Sequence, residues 1–202
     1  NQQKRAETIC TESRWSAGEC VDISGSFWGQ NRISGKSWNG YAWTVFKGDL
    51  EKEQIDTRGF ILDERYFTTL AFVDLSPEGE RTFSFARKPG ADTQITEKEL
   101  DMKILGNTKI FHVGSLSLTS EPARSTTFAA IKAAKSAGAV ISYDPNYRAT
   151  LWENVETAKR EMKSLIPFVD IMKISDEETE LLTDEKEPEQ AAKVLLEKGV
   201  NL

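Results

Sequence analysis

Apolar and polar positions fall into regular rhythms along this chain, but only from about Leu50 onward. "RGFILDE", "FTTLAFVDL" and "RTFSFARK" alternate with the period of strands, and "SPEGE" (76–80) is a turn that joins the last two as a hairpin over 68–87. In the third segment Phe83, Phe85 and Arg87 share one face, so a charge follows two rings on the same side. After "PGAD" (89–92) strands and helices alternate. "KIFHVGSLSL" predicts a strand of near-continuous apolar character running into a loop. "EPARSTTFAAIKAAKSAG" predicts a helix, with Phe128, Ile131 and Ala134 on one face and Gly138 as its stop. "AVISYDPN" reads as a buried strand, and "NVETAKREMKSLIPFV" as a helix facing inward through Val155, Ala158, Met162 and Leu165. "DIMKIS" is a further strand. "DEETELLTD" is a short helix with acids at its positive end, and "EPEQAAKVLLEKGV" is a last helix opened by Pro188 and closed by Gly199. Strands separated by helices of this length predict βαβ units and a parallel sheet over residues 50–202. A further strand is expected after the last helix, and the sequence stops at "KGVNL" without one.

Residues 1–48 carry no such rhythm. Gly, Ser, Asn and Trp dominate, and Trp15, Trp28, Trp38 and Trp43 are four of the chain's five tryptophans. The expectation is an unpatterned stretch without a core of its own. "DLEKEQ" (49–54) reads as the end of a helix.

Composition narrows the function classes. With 39% hydrophobic and 29% charged residues in 202, the chain is ordinary globular material for one domain. A net charge of −6 without a basic stripe speaks against a nucleic-acid face. No apolar run is long enough for a membrane span, and no signal peptide is visible, so the expected location is cytoplasmic. Cys10 and Cys20 do not make a disulfide framework, and one His without ligand spacing gives zinc little support. That lone His112 reads as a structural residue of a core strand, and Trp152 as packing.

In a parallel sheet ligands bind beyond the carboxyl ends of the strands, which here read "GSLSL", "DPNYR" and "SDEE". "SYDPNYRATLW" (142–152) places Asp144, Asn146 and Arg148 within five residues: a carboxylate, an amide and a guanidinium that can bind hydroxyls and phosphate together. The same tripeptide can be a plain Asx-turn with Arg148 in solvent. "KISDEETELL" puts Lys173, Ser175 and Glu178 at the next strand end. Glu178 can organise Mg²⁺ through water, or Ser175 can simply cap a helix with an acidic first turn.

Taken in order, "DTRGFILDERYFTTLAFVDLSPEGERTFSFARKPGAD", "FHVGSLSL", "SYDPNYRATLW" and "KISDEETELLTD" resemble the ribokinase-like (PfkB-type) sugar kinases, most closely the bacterial fructokinases. The resemblance runs from about Leu50 to Leu202. It implies an α/β fold, a ribokinase-like three-layer sandwich with a mostly parallel sheet and a small β lid, incomplete at both ends. On this reading residues 49–202 are a partial domain that includes lid-associated strands at 57–92. It implies ATP and Mg²⁺ as cofactors, a sugar as the second small-molecule partner, and room for a homodimer through the lid. The γ-phosphate would pass to a primary sugar hydroxyl, as from fructose to fructose 6-phosphate, with catalysis mainly by positioning and charge stabilisation. Carried over by position, Phe85 and Arg87 resemble sugar contacts from the lid, and Asn146 and Arg148 contacts near the sugar and the moving phosphate. Lys173, Ser175 and Glu178 fall on the nucleotide and phosphate side, where the family has an Asn-x-x-Glu motif. Ser175 replaces its Asn, and Asp184 replaces the Gly of "LTG". The sibling reading is 2-keto-3-deoxygluconate kinase. A rival from another class is a non-catalytic remnant that binds sugar or nucleotide.

Two family parts are missing from the sequence. The Gly-Ala-Gly-Asp loop, whose Asp takes the hydroxyl proton, is expected beyond Leu202, so the chain alone is expected to be inactive. The Gly-Gly-Ala-Pro-x-Asn sugar motif should stand near the start. "RWSAGECV", back-translated with one allowed codon choice and read one base later, gives that motif as GGAPGNV. The shifted frame continues into a helix, a strand and a Gly-x-Asp loop, and must return near "VFKGDL". Residues 1–47 thus read as an out-of-frame translation, with a novel arm as the alternative.

Overall fold

The structure, a computed structural model, describes residues 32–75 and 81–201. They belong to two compact units that divide between Ile95 and Thr96.

In the first unit, β1 (Arg32–Trp38) runs parallel to β2 (Asp56–Asp63), joined by helix α1 (Tyr41–Lys52). β3 (Leu70–Leu75) and β4 (Arg81–Ala86) form an antiparallel pair, with Leu70 opposite Ala86. This is the expected hairpin; its turn at 76–80 lies outside the described residues. Over residues 32–48 the structure differs from the expected unpatterned stretch. Trp43 and Leu50, two helical turns apart, bury one face of α1, and Trp43 stacks on Phe60 at 3.9 Å between ring centroids. β1 escapes a search for apolar alternation because its buried positions are Lys36 and Ser37. Residues 1–31 lie outside the described residues.

The second unit begins with a short helix, α2 (Met102–Gly106), capped by Asp101, whose carboxylate accepts from the Lys103 and Ile104 amides. There follow β5 (Ile110–Val113), α3 (Ala123–Ser136), β6 (Val140–Tyr143), α4 (Val155–Leu165), β7 (Ile171–Met172), α5 (Asp176–Thr183) and α6 (Pro188–Glu197). The strands pair in the order β5-β6-β7, all parallel, with Ile110 beside Val140 and Ser142 beside Ile171. Gly138 (φ +87°) and Gly199 (φ +91°) turn the chain out of α3 and α6 in the left-handed region. The strand expected after α6 has a trace after all: Asn201 makes a parallel bridge to Ile171, beside β7.

One apolar core fills the space between this sheet and its helices. Ile141, Tyr143 and Met172 come from the strands, Ile131, Ala134, Ala158, Met162 and Leu165 from α3 and α4, and Leu182 and Leu195 from α5 and α6. The predicted inward face of α4 holds at Ala158, Met162 and Leu165, while Val155 in its first turn is exposed. The strands are buried on one face only. Ile110, Val140 and Ile171 are 54%, 37% and 46% exposed, which corrects the reading of "AVISYDPN" as fully buried. His112 lies on that open face and not in the core, its Nδ1 3.1 Å from Ser142 Oγ. Trp152 packs in the core as expected.

Candidate active site

Three loops leave the carboxyl ends of β5, β6 and β7, and hydrogen bonds tie them into one ledge. Ser115, past β5, donates from both its amide and its hydroxyl to the Pro145 carbonyl, at 3.1 and 2.5 Å. The Asp144 amide donates to Val113 O and the Lys173 amide to Tyr143 O, carrying the ladders one residue past the strands. Asp144 Oδ1 accepts from the Asn146 amide at 3.2 Å, the Asx-turn that the tripeptide allows, and Asn146 sits in the left-handed region at φ +46°. Asp144 Oδ2 pairs with Lys173 Nζ at 3.1 Å.

Glu178 joins the last two loops. Its Oε1 accepts from the Tyr147 amide at 2.7 Å and its Oε2 from the Ser175 amide at 2.8 Å, and the residue is only 3% exposed. The Ser175 contact is half of a capping box at the start of α5. The Tyr147 contact pins the turn that carries Asn146 and Arg148. Arg148 is half-buried and donates through Nη1 to the Tyr147 carbonyl at 2.9 Å. A single buried carboxylate therefore sets the spacing between the residues predicted to meet the sugar and those predicted to meet the nucleotide.

The structure thus gathers Asn146, Arg148, Lys173, Ser175 and Glu178 in the second unit. Phe85 and Arg87 lie in the first unit. Phe85 is half-buried at the end of β4, with its ring 6.2 Å from that of Phe83. Arg87 is held by Asp92, with Nε 2.6 Å from Oδ2 and Nη2 in contact with the same oxygen. The sequence reading missed Ser115 and Asp92 as organisers. Both stand in segments it had singled out, "GSLSL" and "PGAD", but nothing in spacing says that Ser115 will bond a loop 30 residues away or that Asp92 will take Thr69, 23 residues back, as a partner.

Mg²⁺ held directly by protein side chains does not fit these residues. Among the described residues no three His, Cys, Asp or Glu converge as ligands, and both Glu178 oxygens are occupied by backbone amides. No helix among the described residues is long and apolar enough to cross a membrane.

Comparison with known proteins finds sugar kinases. The chain is 45% identical over 142 residues to probable fructokinase-3 of Arabidopsis thaliana, a match covering 70% of this chain and 41% of the relative. It superposes on the Vibrio cholerae O395 fructokinase solved with fructose, ADP and calcium ion with a TM-score of 0.75 at 29% identity, over 84% of this chain and 55% of that one. Fructokinase of Xylella fastidiosa with bound ATP gives a TM-score of 0.75 at 27% identity, over 84% and 54%. The chain spans about two fifths of the length of the curated relative and about half that of the solved kinases. The sequence profile described as pfkB family carbohydrate kinase matches residues 44–202, and the chain belongs to that family.

Proposed function

We propose that the full-length protein is an ATP-dependent sugar kinase that transfers the γ-phosphate to the primary hydroxyl of fructose. The observation that carries this reading is the double capture by Glu178, which holds the Asn146–Arg148 turn and the Lys173–Ser175 strand end in one fixed frame. Phosphoryl transfer needs little covalent chemistry from the protein and depends on such positioning. Asn146 and Arg148 would meet sugar oxygens and the moving phosphoryl group. Lys173 and the start of α5 would lie toward the nucleotide, and Phe85 and Arg87 would close on the sugar from the lid. Bound ATP brings Mg²⁺ with its own phosphates and waters, and Glu178 acts here as a positioning group.

The names of the relatives support fructose over 2-keto-3-deoxygluconate. ATP as donor supports a cytoplasmic location. The exposed Phe72 and Val73 of β3 (56% and 47%) support a homodimer through the lid. The start of the family match at residue 44 supports the out-of-frame reading of the preceding residues, the paired β1 and the Trp43 stack count against it over 32–43, and the nucleotide sequence across residues 1–50 tests it.

The functional test is a coupled assay of the full-length protein with MgATP and a panel of sugars. Fructose should be turned over, and Arg148→Ala should lower kcat/KM by about 10²–10³, the scale of losing one preorganised donor, with Tm little changed. Turnover of 2-keto-3-deoxygluconate alone would move the protein to the sibling activity. An unchanged kcat/KM in the variant would return Arg148 to a solvated turn.

A further inference from the structure

Arg87 is a buried cation, and its surroundings form a built device at the lower end of the hairpin. Its side chain is 6% exposed and that of its partner Asp92 is 3% exposed. Nε and Nη2 both address Asp92 Oδ2, so the plane of the guanidinium is fixed by two contacts. The other oxygen, Oδ1, accepts from Thr69 Oγ1 at 2.6 Å. Thr69 stands just before β3 and Asp92 just after the loop that leaves β4, so the pair ties both ends of the hairpin. The backbone is set to match. The Ala91 amide donates to Phe67 O at 2.8 Å, and Thr93 donates through Oγ1 to Gly90 O at 2.7 Å. A side chain at Gly90 would run into Thr69 Oγ1 and Asp92 Oδ1.

We propose that Asp92 is the positioning residue for Arg87, fixing the guanidinium in the one orientation that meets sugar oxygens, with Thr69 holding Asp92 in turn. This rests on the reading of β4 as the sugar-facing strand of a kinase lid. A buried ion pair is a poor stabiliser compared with apolar packing. Two polar groups joined through one buried carboxylate in a small unit are better explained by the orientation they impose.

The test uses the full-length kinase with separate KM values for fructose and ATP, kcat and Tm. Arg87→Ala should raise the fructose KM and leave the ATP KM alone. Asp92→Asn should raise the fructose KM by about 10–100-fold, the scale on which supporting partners act on the groups they orient. On an Arg87→Ala background it should add nothing further. Thr69→Val removes only the hydroxyl and should give a smaller rise of the same kind; it carries the test if Asp92→Asn fails to fold. A lowered Tm with an unchanged fructose KM in Thr69→Val or Asp92→Asn would make the cluster a purely structural pin and overturn the proposal. An unchanged fructose KM in Arg87→Ala, with wild-type turnover intact, would overturn it while leaving the kinase reading standing. A wild type inactive on every sugar would overturn both.

Discussion

The two units keep their ion pairs in different places. In the second, the core cluster is apolar from Val113 to Val200, the buried Glu178 is met by backbone amides, and the ion pairs that involve Lys135, Lys163 and Lys173 lie toward solvent. Among the described residues of the first, the buried apolar residues are few, chiefly Trp43, Leu50 and Ile55, and charged groups lie inside with them. Lys36 is 1% exposed, its Nζ 2.9 Å from Asp63 Oδ2 and 3.2 Å from the Gln94 carbonyl. Arg87 and Asp92 make a second buried pair. The same attraction has different consequences in the two settings. Inside, removing one partner strands a desolvated charge; outside, water replaces what is lost.

The largest effect should come from splitting the inner pair. Breaking a buried pair costs about 3–5 kcal/mol, and Lys36→Met should approach that figure, because Arg65, the other cation on Asp63, is itself mostly exposed. Adding Asp63→Leu should return much of that loss. Urea unfolding followed by tryptophan fluorescence measures both, and a single-variant loss below about 1 kcal/mol would break the contrast. The pair also sets an acid limit. Hydrogen bonds from Arg65, then Lys36, hold the Asp63 carboxyl well below the usual carboxylate range, against the opposing effect of burial. A carboxyl with a lowered folded-state pKa contributes stability that is full above its unfolded value, about 3.9. That contribution is lost as pH falls from there through the folded value. The first unit should therefore lose stability below about pH 4, and Asp63→Asn should be less stable at neutral pH but flatter in acid.

Next in size is a cavity in the second unit. Leu165 is fully buried in the core. Leu165→Ala should cost about 2–5 kcal/mol, depending on how far the site collapses. The loss should appear in the transition of the second unit. An equal shift in both transitions would show that the units unfold together and that their cores cannot be compared separately.

This difference in interiors explains what could be read from the sequence. Ile141, Tyr143, Met162 and Leu165 announce themselves because an apolar residue at strand or helix spacing has one good place to go. The parallel order β5-β6-β7 and the strand-end site follow from the same rhythm. Lys36 and Ser37 give the opposite signal: a lysine inside a strand reads as solvent-facing until its carboxylate is known, and Asp63 is 27 residues away. β1 was therefore invisible, and the open face bearing Ile110, Val140 and Ile171 was taken for buried, because periodicity reports apolar character and not which layers are present to cover it. In the site, the resemblance singled out Asn146, Arg148 and Glu178 by sequence position, and the structure gathers them at the strand ends of the second unit. The roles of Asp92 and of the Tyr147 amide depend on folded-back contacts that no local pattern encodes.

The smallest effect should come from an outer pair that looks strong on paper. Lys163 Nζ lies 2.5 Å from Asp184 Oδ2, shorter than the inner Lys36–Asp63 contact. Lys163 holds the Asp184 carboxyl below its ordinary pKa, yet the Asp184 side chain is 69% exposed. Exposed pairs in this geometry are worth about 0–1 kcal/mol, because water and side-chain freedom compete with the contact. Asp184 also occupies the left-handed position that ends α5, at φ +65°, so replacing it would mix backbone strain with charge loss. Lys163→Ala is the cleaner change. It should shift the stability of the second unit by less than about 1 kcal/mol, and the shift should shrink further in 1 M salt, where charges are screened within about 3 Å. A loss of the size expected for Lys36→Met, or one that salt does not reduce, would show that this pair is sheltered as the inner one is. The contrast between the two units would then rest on which residues are paired and not on where the charges lie.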